Sequence, residues 1–188
     1  MIAWPSDVIA ALWIGWLSYW WAIAARGTKP AKRRENVATR LAYSLPLWIA
    51  VLLLIGRLPF MSSRFAPVGL GVELAGLAVA VAGFAFAIWA RVHLGGNWSG
   101  SVTVKQGHTL VQSGPYAYVR HPIYTGLLAA ILGTALVLGE WRDLVALMLA
   151  TASCWYKLSL EEQWMGETFG AAYADYRQRV RALVPFLL

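Results

Sequence analysis

Long apolar runs are the feature that most restricts how this chain can fold. They cover residues 8–25, 41–58, 67–90, 123–139 and 144–160. A helix needs roughly 20 residues to cross about 30 Å of hydrocarbon, and about 17 suffice at the short end. Only 13% of the residues are charged, which disfavours a soluble domain. We therefore predict an all-α fold, a polytopic membrane helix bundle with about five transmembrane helices.

The placement of basic residues predicts the orientation of this bundle. The segment 26–40, between the first two runs, is strongly basic and has Glu35 as its one acid. If this segment faces the cytoplasm, successive loops lie on alternate sides of the membrane. Of the 16 Lys and Arg residues, only Arg57, Arg64 and Arg142 then lie outside. We expect the amino terminus outside and the carboxyl terminus in the cytoplasm. The compact size and the lack of a long targeting extension favour a prokaryotic cytoplasmic (inner) membrane.

Two ligand classes are not expected. The net charge of +7 follows the topology pattern and does not indicate nucleic acid. His93, His108 and His121 are each about a dozen residues apart, without the i, i+4 pairing of helical zinc sites. Cys154 is the single cysteine and lies in an apolar run, as a small core residue would. We predict neither nucleic-acid nor metal binding.

The polar chemistry falls in two cytoplasmic regions, residues 91–122 and 161–188. Pro122 suits the first turn of the fourth helix, where its missing N–H costs nothing. Arg120 and His121 then lie at a helix N-terminus, which favours an anion such as a carboxylate or phosphate. A simpler interpretation is that both residues only anchor the helix near headgroups. Crowding of His and Tyr residues around them favours a site: His108, Tyr116, Tyr118 and Tyr124.

Glu161 and Glu162 follow the fifth run directly. Neighbouring residues of a helix point about 100° apart, so we expect only one of the two to face the interior. A buried carboxylate needs a partner, which an ammonium group or the basic residues near Arg120 would provide.

Three further patterns are interpreted as structural. Glu73 lies near the outer side of the third run, away from the other polar groups. Small residues along the same run favour close helix packing: Gly76, Ala80 and Gly83. An interfacial amphipathic helix is predicted near the carboxyl terminus from apolar residues at helical spacing: Phe169, Tyr173, Tyr176, Val180 and Val184.

The motifs resemble the isoprenylcysteine carboxyl methyltransferase family and, more distantly, the membrane phospholipid N-methyltransferases. The matching pieces are LGGNW at 94–98, HTLV at 108–111, GPY at 114–116, RHPIY at 120–124 with Gly126, Glu161-Glu162, and FGxxYxxY at 169–176 before Arg179-Val180. Their order and spacing agree over roughly residues 91–186. The first two apolar runs match only in being hydrophobic.

This resemblance implies an S-adenosylmethionine-dependent methyltransferase embedded in the membrane. It implies a single domain over 1–188, with a less-matched part at 1–66 and a cofactor-binding core at 91–188. The expected catalytic residues are Glu161, Lys157 and Arg120. The expected cofactor-binding residues are His108, Thr109, Leu110, Val111, Tyr116, His121, Pro122, Ile123, Tyr124, Glu161 and Glu162. An acid would meet the cofactor's ammonium group, and basic and tyrosine donors its carboxylate.

The acceptor implied by the family is a prenylcysteine carboxylate that enters from the bilayer. The family has an arginine four residues before the first acid, where this sequence has Lys157. Lysine keeps the charge but loses the bidentate fork, so a phospholipid amine or a small thiol could be the acceptor instead. Two competing hypotheses place the chain in a different class, as a membrane reductase using NADPH or as a non-enzymatic membrane protein. Membrane lipids are the remaining expected partners.

Overall fold

The computed structural model describes residues 4–24, 29–56, 61, 63–65 and 69–185. Its α-helices are α1 (Trp4–Ala24), α2 (Val37–Ile55), α3 (Leu70–Leu94), α4 (Pro122–Leu138), α5 (Trp141–Phe169) and α6 (Ala171–Arg179). Two short strands are β1 (Ala31–Arg34) and β2 (Thr103–Lys105). The predicted helical bundle is therefore confirmed, but the chain is not purely α.

Within the described residues, two stretches are long and apolar enough to cross a membrane, α2 and the segment Leu70–Asn97 that contains α3. Helix α4 is apolar but shorter. Helices occur at all five predicted runs, so their existence was predictable from hydropathy. The ends of three runs, residues 25, 58 and 67, lie outside the described residues, as do Arg26, Arg57 and Phe186.

Helices α3 and α4 pack through glycines. A Cβ on Gly83 would fall 2.5 Å from the backbone oxygen of Gly126, and one on Gly76 would fall 2.7 Å from that of Gly133. Ala80 between them is fully buried. The predicted packing role of the small residues of α3 is confirmed, because only glycine lets the two backbones approach this closely.

The turn between α4 and α5 is a tight hairpin. Gly139 ends α4 with φ 69°, and Glu140 and Asp143 form a capping box at the start of α5. Arg142 was interpreted only as an outer charge, but its side chain is buried and caps α2. It donates to the backbone oxygens of Leu53 (2.5 Å), Leu54 (3.1 Å) and Gly56.

The carboxyl-terminal region differs from its prediction. Helix α5 continues through Glu161 and Glu162 to Phe169, and Gly170, with φ 52°, separates it from the short α6. Val180 and Val184 lie beyond the end of α6. The tyrosines are buried within the protein, and the Tyr176 hydroxyl donates to the Tyr116 backbone oxygen at 2.6 Å. The prediction of one long interfacial helix was therefore wrong.

The β1–β2 ribbon ties the segment before α2 to the segment after α3. Its strands are antiparallel, with Ala31 opposite Lys105, Arg33 opposite Val104 and Arg34 opposite Thr103. Sequence reasoning missed this ribbon because each strand is only three or four residues long, which is too short for a periodic pattern to predict a strand.

Candidate active site

Arg120 and His121 are held at the start of α4 by the carboxyl-terminal segment. Their backbone N–H groups donate to Arg181 O (2.8 Å) and Ala182 O (3.0 Å). His121 is the N-cap residue and Pro122, which is buried, opens the helix. The backbone thus fixes both side chains toward α5, which lies across from α4.

Glu162 forms the tightest charged cluster of the site. Its Oε1 accepts from Arg120 Nε at 2.7 Å and lies 2.5 Å from Arg120 Nη2. The same oxygen is 3.2 Å from His121 Nε2, while Oε2 is 3.5 Å from Arg177 Nε. Arg120 also donates to the backbone oxygens of Arg177 (3.3 Å) and Val180, which ties α6 to this cluster.

Glu161 uses the other side of the same imidazole ring. Its Oε2 is 3.5 Å from His121 Nδ1, and its Oε1 accepts from the Tyr124 hydroxyl at 2.7 Å. The expectation that only one acid faces the interior was therefore wrong. His121, the N-cap residue of α4, lies between the two carboxylates. One ring therefore contacts both acids, although they point in different directions from α5.

The charges of this cluster support one another. Burial alone would raise the pKa of Glu162, but hydrogen bonds from His121 and Arg120 hold it below its ordinary value. The pKa of Glu161 is lowered in the same way by His121 and Lys157, against the effect of burial. Burial would lower the pKa of His121, but the two carboxylates raise it. These directions favour an imidazolium between two carboxylates.

A cavity of about 1120 Å³ opens beside Glu162. Its lining includes Arg120, Glu162, Gly166, Gly170, Tyr173 and Arg177. Arg120 and Glu162 have side-chain exposures of only 7% and 10%, whereas Arg177 is 65% exposed at the rim. The cavity is large enough for a small-molecule cofactor and has a guanidinium and a carboxylate on its inner wall.

Lys157 does not line this cavity and lies near Tyr124, the residue that donates to Glu161. Its Nζ is 5.6 Å from the centre of the Tyr124 ring and donates to Gly100 O at 2.8 Å. The structure therefore brings together six of the predicted residues: Arg120, His121, Tyr124, Lys157, Glu161 and Glu162. Ile123, between His121 and Tyr124, is half-buried.

The predicted residues 108–111 lie at the far end of α5. The His108 ring is 5.6 Å from that of Phe169, and Thr109 accepts from the Asn97 amide at 2.9 Å. Leu110 and Val111 are half-buried. Burial, followed by Lys29 and Lys105, lowers the pKa of His108. Among the described residues, no hydrogen bond or ion pair joins this segment directly to the Glu161–Glu162 cluster.

Tyr116, another predicted residue, is buried. Its hydroxyl donates to Ala90 O at 3.4 Å, and its backbone oxygen accepts from Tyr176. Burial raises the pKa of Tyr176 to about 12, so this hydroxyl remains a donor. Tyr116 therefore supports the wall between α3 and α6.

Sequence reasoning missed three residues near the cluster. Arg177 reaches Glu162 from α6, and the Tyr43 ring of α2 lies 5.1 Å from Lys157 Nζ. The Tyr43 hydroxyl donates to Glu35, in the segment before α2. The signal for Arg177 was its place within the FGxxYxxY…RV segment. Tyr43 is inside an apolar run, and no local pattern indicates that its ring faces a lysine more than a hundred positions away.

Comparison with known proteins supports the resemblance. Residues 76–167 match the isoprenylcysteine carboxyl methyltransferase (ICMT) family. The chain is 35% identical over 104 residues to a protein-S-isoprenylcysteine O-methyltransferase of Schizosaccharomyces pombe, covering 52% of this chain and 43% of the relative. For the Tribolium castaneum enzyme of the same name the identity is 31% over 115 residues, covering 60% of this chain and 41% of the relative. The chain thus spans less than half the length of these relatives.

Two further matches cover more of the chain. The cobalt-zinc-cadmium resistance protein CzcN of Cupriavidus metallidurans is 27% identical over 160 residues, covering 81% of this chain and 68% of the relative. A solved structure of the eukaryotic intramembrane Ras methyltransferase ICMT matches with a TM-score of 0.52 at 23% identity, over 81% of this chain and 54% of the other. This likeness shows the helical membrane fold.

Proposed function

Because residues 76–167 of this chain match the isoprenylcysteine carboxyl methyltransferase family, we propose that the protein is an S-adenosylmethionine-dependent methyltransferase of the membrane. The observation that carries this proposal is the cluster of Arg120, His121, Glu161 and Glu162 beside a ligand-sized cavity. It supplies both charges that the cofactor's amino-acid end requires.

The cavity residues fit that amino-acid end. Glu162 would accept from the ammonium group, and Arg120 and Arg177 would donate to the carboxylate. In the structure these side chains pair with one another, so the ligand would replace internal ion pairs with its own charges. His108 to Val111, near Phe169, would then lie toward the adenosine end.

The protein's own contribution is to bind, orient and exclude water. When bound, the cofactor supplies a methyl group on a positively charged sulfur, which an acceptor's lone pair can displace. His121 keeps both carboxylates in place through its two ring nitrogens. Tyr124 holds Glu161 from the opposite side. Alignment in a site shielded from water is sufficient for such a displacement, and no general base is required for a carboxylate acceptor.

The acceptor would enter from the bilayer and meet Lys157. A lipophilic, prenylcysteine-like molecule with a carboxylate suits this position, because the Lys157 ammonium is free of ion pairs in the described chain. The protein would act as one domain with five crossings, its amino terminus outside and its carboxyl terminus in the cytoplasm of a prokaryotic cell. Residues 91–188 would form the cofactor-binding core.

Calorimetry on the purified protein in detergent tests the cofactor. We expect micromolar binding of S-adenosylmethionine and of its demethylated product, and no binding of NADPH. Glu162→Gln removes a charged hydrogen-bond acceptor and should raise the dissociation constant at least tenfold, for a loss of about 1.5 to 3 kcal/mol.

The matched control is Glu73→Gln, on the first turn of α3 and away from the cluster. Its dissociation constant should equal that of the wild type. Unchanged binding in both Glu161→Gln and Glu162→Gln would overturn the site assignment. Binding of NADPH alone would indicate a reductase instead.

A further inference from the structure

Four basic side chains lie where the β1–β2 ribbon meets the segments around it. Lys29 precedes β1, Arg34 is its last residue, Lys105 is the last residue of β2, and His108 follows three residues later. Ala31 lies opposite Lys105 in the antiparallel ribbon, which brings the start of β1 to the end of β2. Together the four basic residues form the ribbon cluster.

Lys105 is the buried member of the ribbon cluster, and it has no partner. Its exposed fraction is 7%, yet its ammonium group makes no hydrogen bond or ion pair within the described chain. A buried charge is costly unless an opposite charge or hydrogen bonds compensate it. Lys105 Nζ is not one of the fully enclosed unpaired atoms of the described chain, so a ligand can reach it. An anion bound there would supply the missing partner.

Lys29 is held in place by two acceptors and keeps one donor. Its ammonium group donates to the Asn97 side-chain oxygen at 3.0 Å and to Gly107 O at 2.9 Å. An ammonium group has three N–H donors, so one remains. The Lys29 backbone N–H donates to Gly96 O at 3.0 Å. The position of this charge is therefore fixed by the loops on both sides of β2.

The His108 ring lies within electrostatic reach of both lysines. Its Nδ1 is 3.5 Å from Lys105 N, and a neutral ring that accepts there carries its hydrogen on Nε2. Burial lowers the pKa of His108, and Lys29 and Lys105 lower it further. Burial also lowers the pKa of Lys105, followed by the charge of Arg34. No described carboxylate opposes these shifts, so the ribbon cluster has an excess of positive charge and of donors.

The ribbon cluster lies at the ends of two apolar helices. Asn97, which accepts from Lys29, is the last residue of the candidate membrane span Leu70–Asn97. The other candidate span of the described chain, α2, begins at Val37, three residues after Arg34. Helices that leave the hydrocarbon meet the lipid head groups, and basic pockets at this level bind lipid phosphates.

We propose that the ribbon cluster is a binding site for a phosphate group, carried by an anionic lipid at the membrane surface or by a soluble phosphate ester. The phosphate oxygens accept from Lys105, from the remaining donor of Lys29 and from His108 Nε2. A phosphate monoester suits this set because it carries up to two negative charges and three acceptor oxygens. Arg34, at the exposed edge, adds to the attraction.

The proposed cofactor is the competing occupant, because its adenosine end would lie near His108. Adenosine carries no negative charge, however, and does not neutralise Lys105. The cofactor's one carboxylate is at its amino-acid end, which the proposed function places beside Arg120. A phosphate group therefore suits the ribbon cluster better than the cofactor does.

Calorimetry on the full-length protein in a non-ionic, phosphate-free detergent tests the proposal. The probes are dioctanoyl phosphatidic acid, glycerol 3-phosphate and, as the uncharged control, dioctanoylglycerol. We expect saturable binding of phosphatidic acid and none of dioctanoylglycerol. Comparable affinity for glycerol 3-phosphate would identify a soluble ester as the source of the phosphate, and binding of phosphatidic acid alone would identify a lipid.

Lys105→Met keeps the length of the side chain and removes its charge. The dissociation constant of the phosphate probe should rise at least tenfold, the value of one charged hydrogen bond. Arg34→Gln, at the exposed edge, should raise it by a smaller factor. The matched control is Lys32→Met, which removes the same charge from an exposed position of β1 and should stay within about twofold of the wild type.

Thermal unfolding gives a second measurement on the same variants. Without ligand, Lys105→Met loses an unpaired buried charge, so its Tm should equal or exceed that of the wild type. Saturating phosphate probe should raise the Tm of the wild type and of Lys32→Met, but not that of Lys105→Met. A ligand-free Tm of Lys105→Met well below the wild-type value would show that Lys105 already has a stabilising partner, and would contradict the site.

Failure of the wild type to bind either phosphate compound would overturn the proposal, as would equal affinity for dioctanoylglycerol or an equal loss of affinity in Lys32→Met and Lys105→Met. Binding of S-adenosylmethionine should be unchanged in Lys105→Met. A tenfold loss there would assign Lys105 to the cofactor pocket and overturn the phosphate site. The methyltransferase proposal is tested separately, by Glu162→Gln, and does not depend on these outcomes.

Discussion

His121 is the residue on which the charge arrangement of the site depends. Each of its ring nitrogens faces one of the two acids of α5. An imidazolium can interact with both carboxylates at once, whereas a neutral ring can donate to only one. The sequence singled out the two adjacent acids and His121, but it did not predict that the histidine lies between the acids, because that contact requires α4 and α5 to pack side by side.

The stability contributed by His121 should depend on pH. Its pKa is raised by the two carboxylates, against burial, so its contribution is complete below the ordinary value of 6.5. It is lost as the pH rises through the raised pKa. The Tm difference between the wild type and His121→Gln should therefore be largest near pH 6 and decrease at higher pH.

The contribution of Glu162 has the opposite sign. Its pKa is lowered by its hydrogen bonds, against burial, so its contribution is present above the ordinary value of 4.5 and is lost as the pH falls through the lowered pKa. Thermal unfolding of the wild type, His121→Gln and Glu162→Gln in detergent, from pH 9 down to about pH 3, measures both effects. A Tm difference for His121→Gln that grows with rising pH would contradict the assigned charges.

At the scale of elements, α5 carries most of the site. It extends from the buried hairpin at Asp143 through Lys157, Glu161 and Glu162 to the cavity wall at Gly166. Hydropathy located only its apolar first part, because the remainder is amphipathic and its length is fixed by packing against α4 and α6. Helix propensity alone does not explain why Gly170 separates α5 from α6.

We expect substitution of Gly166 to leave the fold intact but to weaken cofactor binding. A Cβ at this position meets no atom within 4 Å, and the residue lines the cavity. Gly166→Leu should improve helix propensity by up to about 0.8 kcal/mol while its side chain enters the cavity. We expect an unchanged or raised Tm and a cofactor dissociation constant raised at least tenfold.

The matched control is Gly15→Leu in α1, which also has no atom within 4 Å of the added Cβ and does not line the cavity. It should leave the dissociation constant unchanged. Wild-type affinity in Gly166→Leu would show that the cofactor does not occupy this cavity.

At the scale of the whole molecule, the family match and the site do not coincide. The family match covers residues 76–167, but Arg177, which contacts Glu162, and Tyr43, whose ring centre is 5.1 Å from Lys157 Nζ, lie outside it. Motifs singled out Arg120 to Tyr124 and the two acids, because each set is consecutive in the sequence, and the structure brings the two sets together. Contacts made by the β1–β2 ribbon and by α2 could not be predicted, because they depend on tertiary packing between segments far apart in the sequence.

Orientation in the membrane is the prediction that concerns the chain as a whole. Cys154 is buried and is the single cysteine, so Cys154→Ser gives a background for labelling. In intact bacterial cells, an impermeant maleimide should label Ser63→Cys, between α2 and α3, and should label Lys32→Cys of β1 only after lysis. The reverse pattern would contradict the positive-inside topology.

Methyl transfer by the purified protein tests the central claim most directly. The protein in lipid nanodiscs would be incubated with methyl-labelled S-adenosylmethionine and N-acetyl-S-farnesylcysteine, and base-labile label would be counted in the lipid phase. We expect a labelled methyl ester, reduced at least tenfold in Glu162→Gln at subsaturating cofactor. Absence of transfer to this acceptor, to phosphatidylethanolamine and to a small thiol would contradict the account.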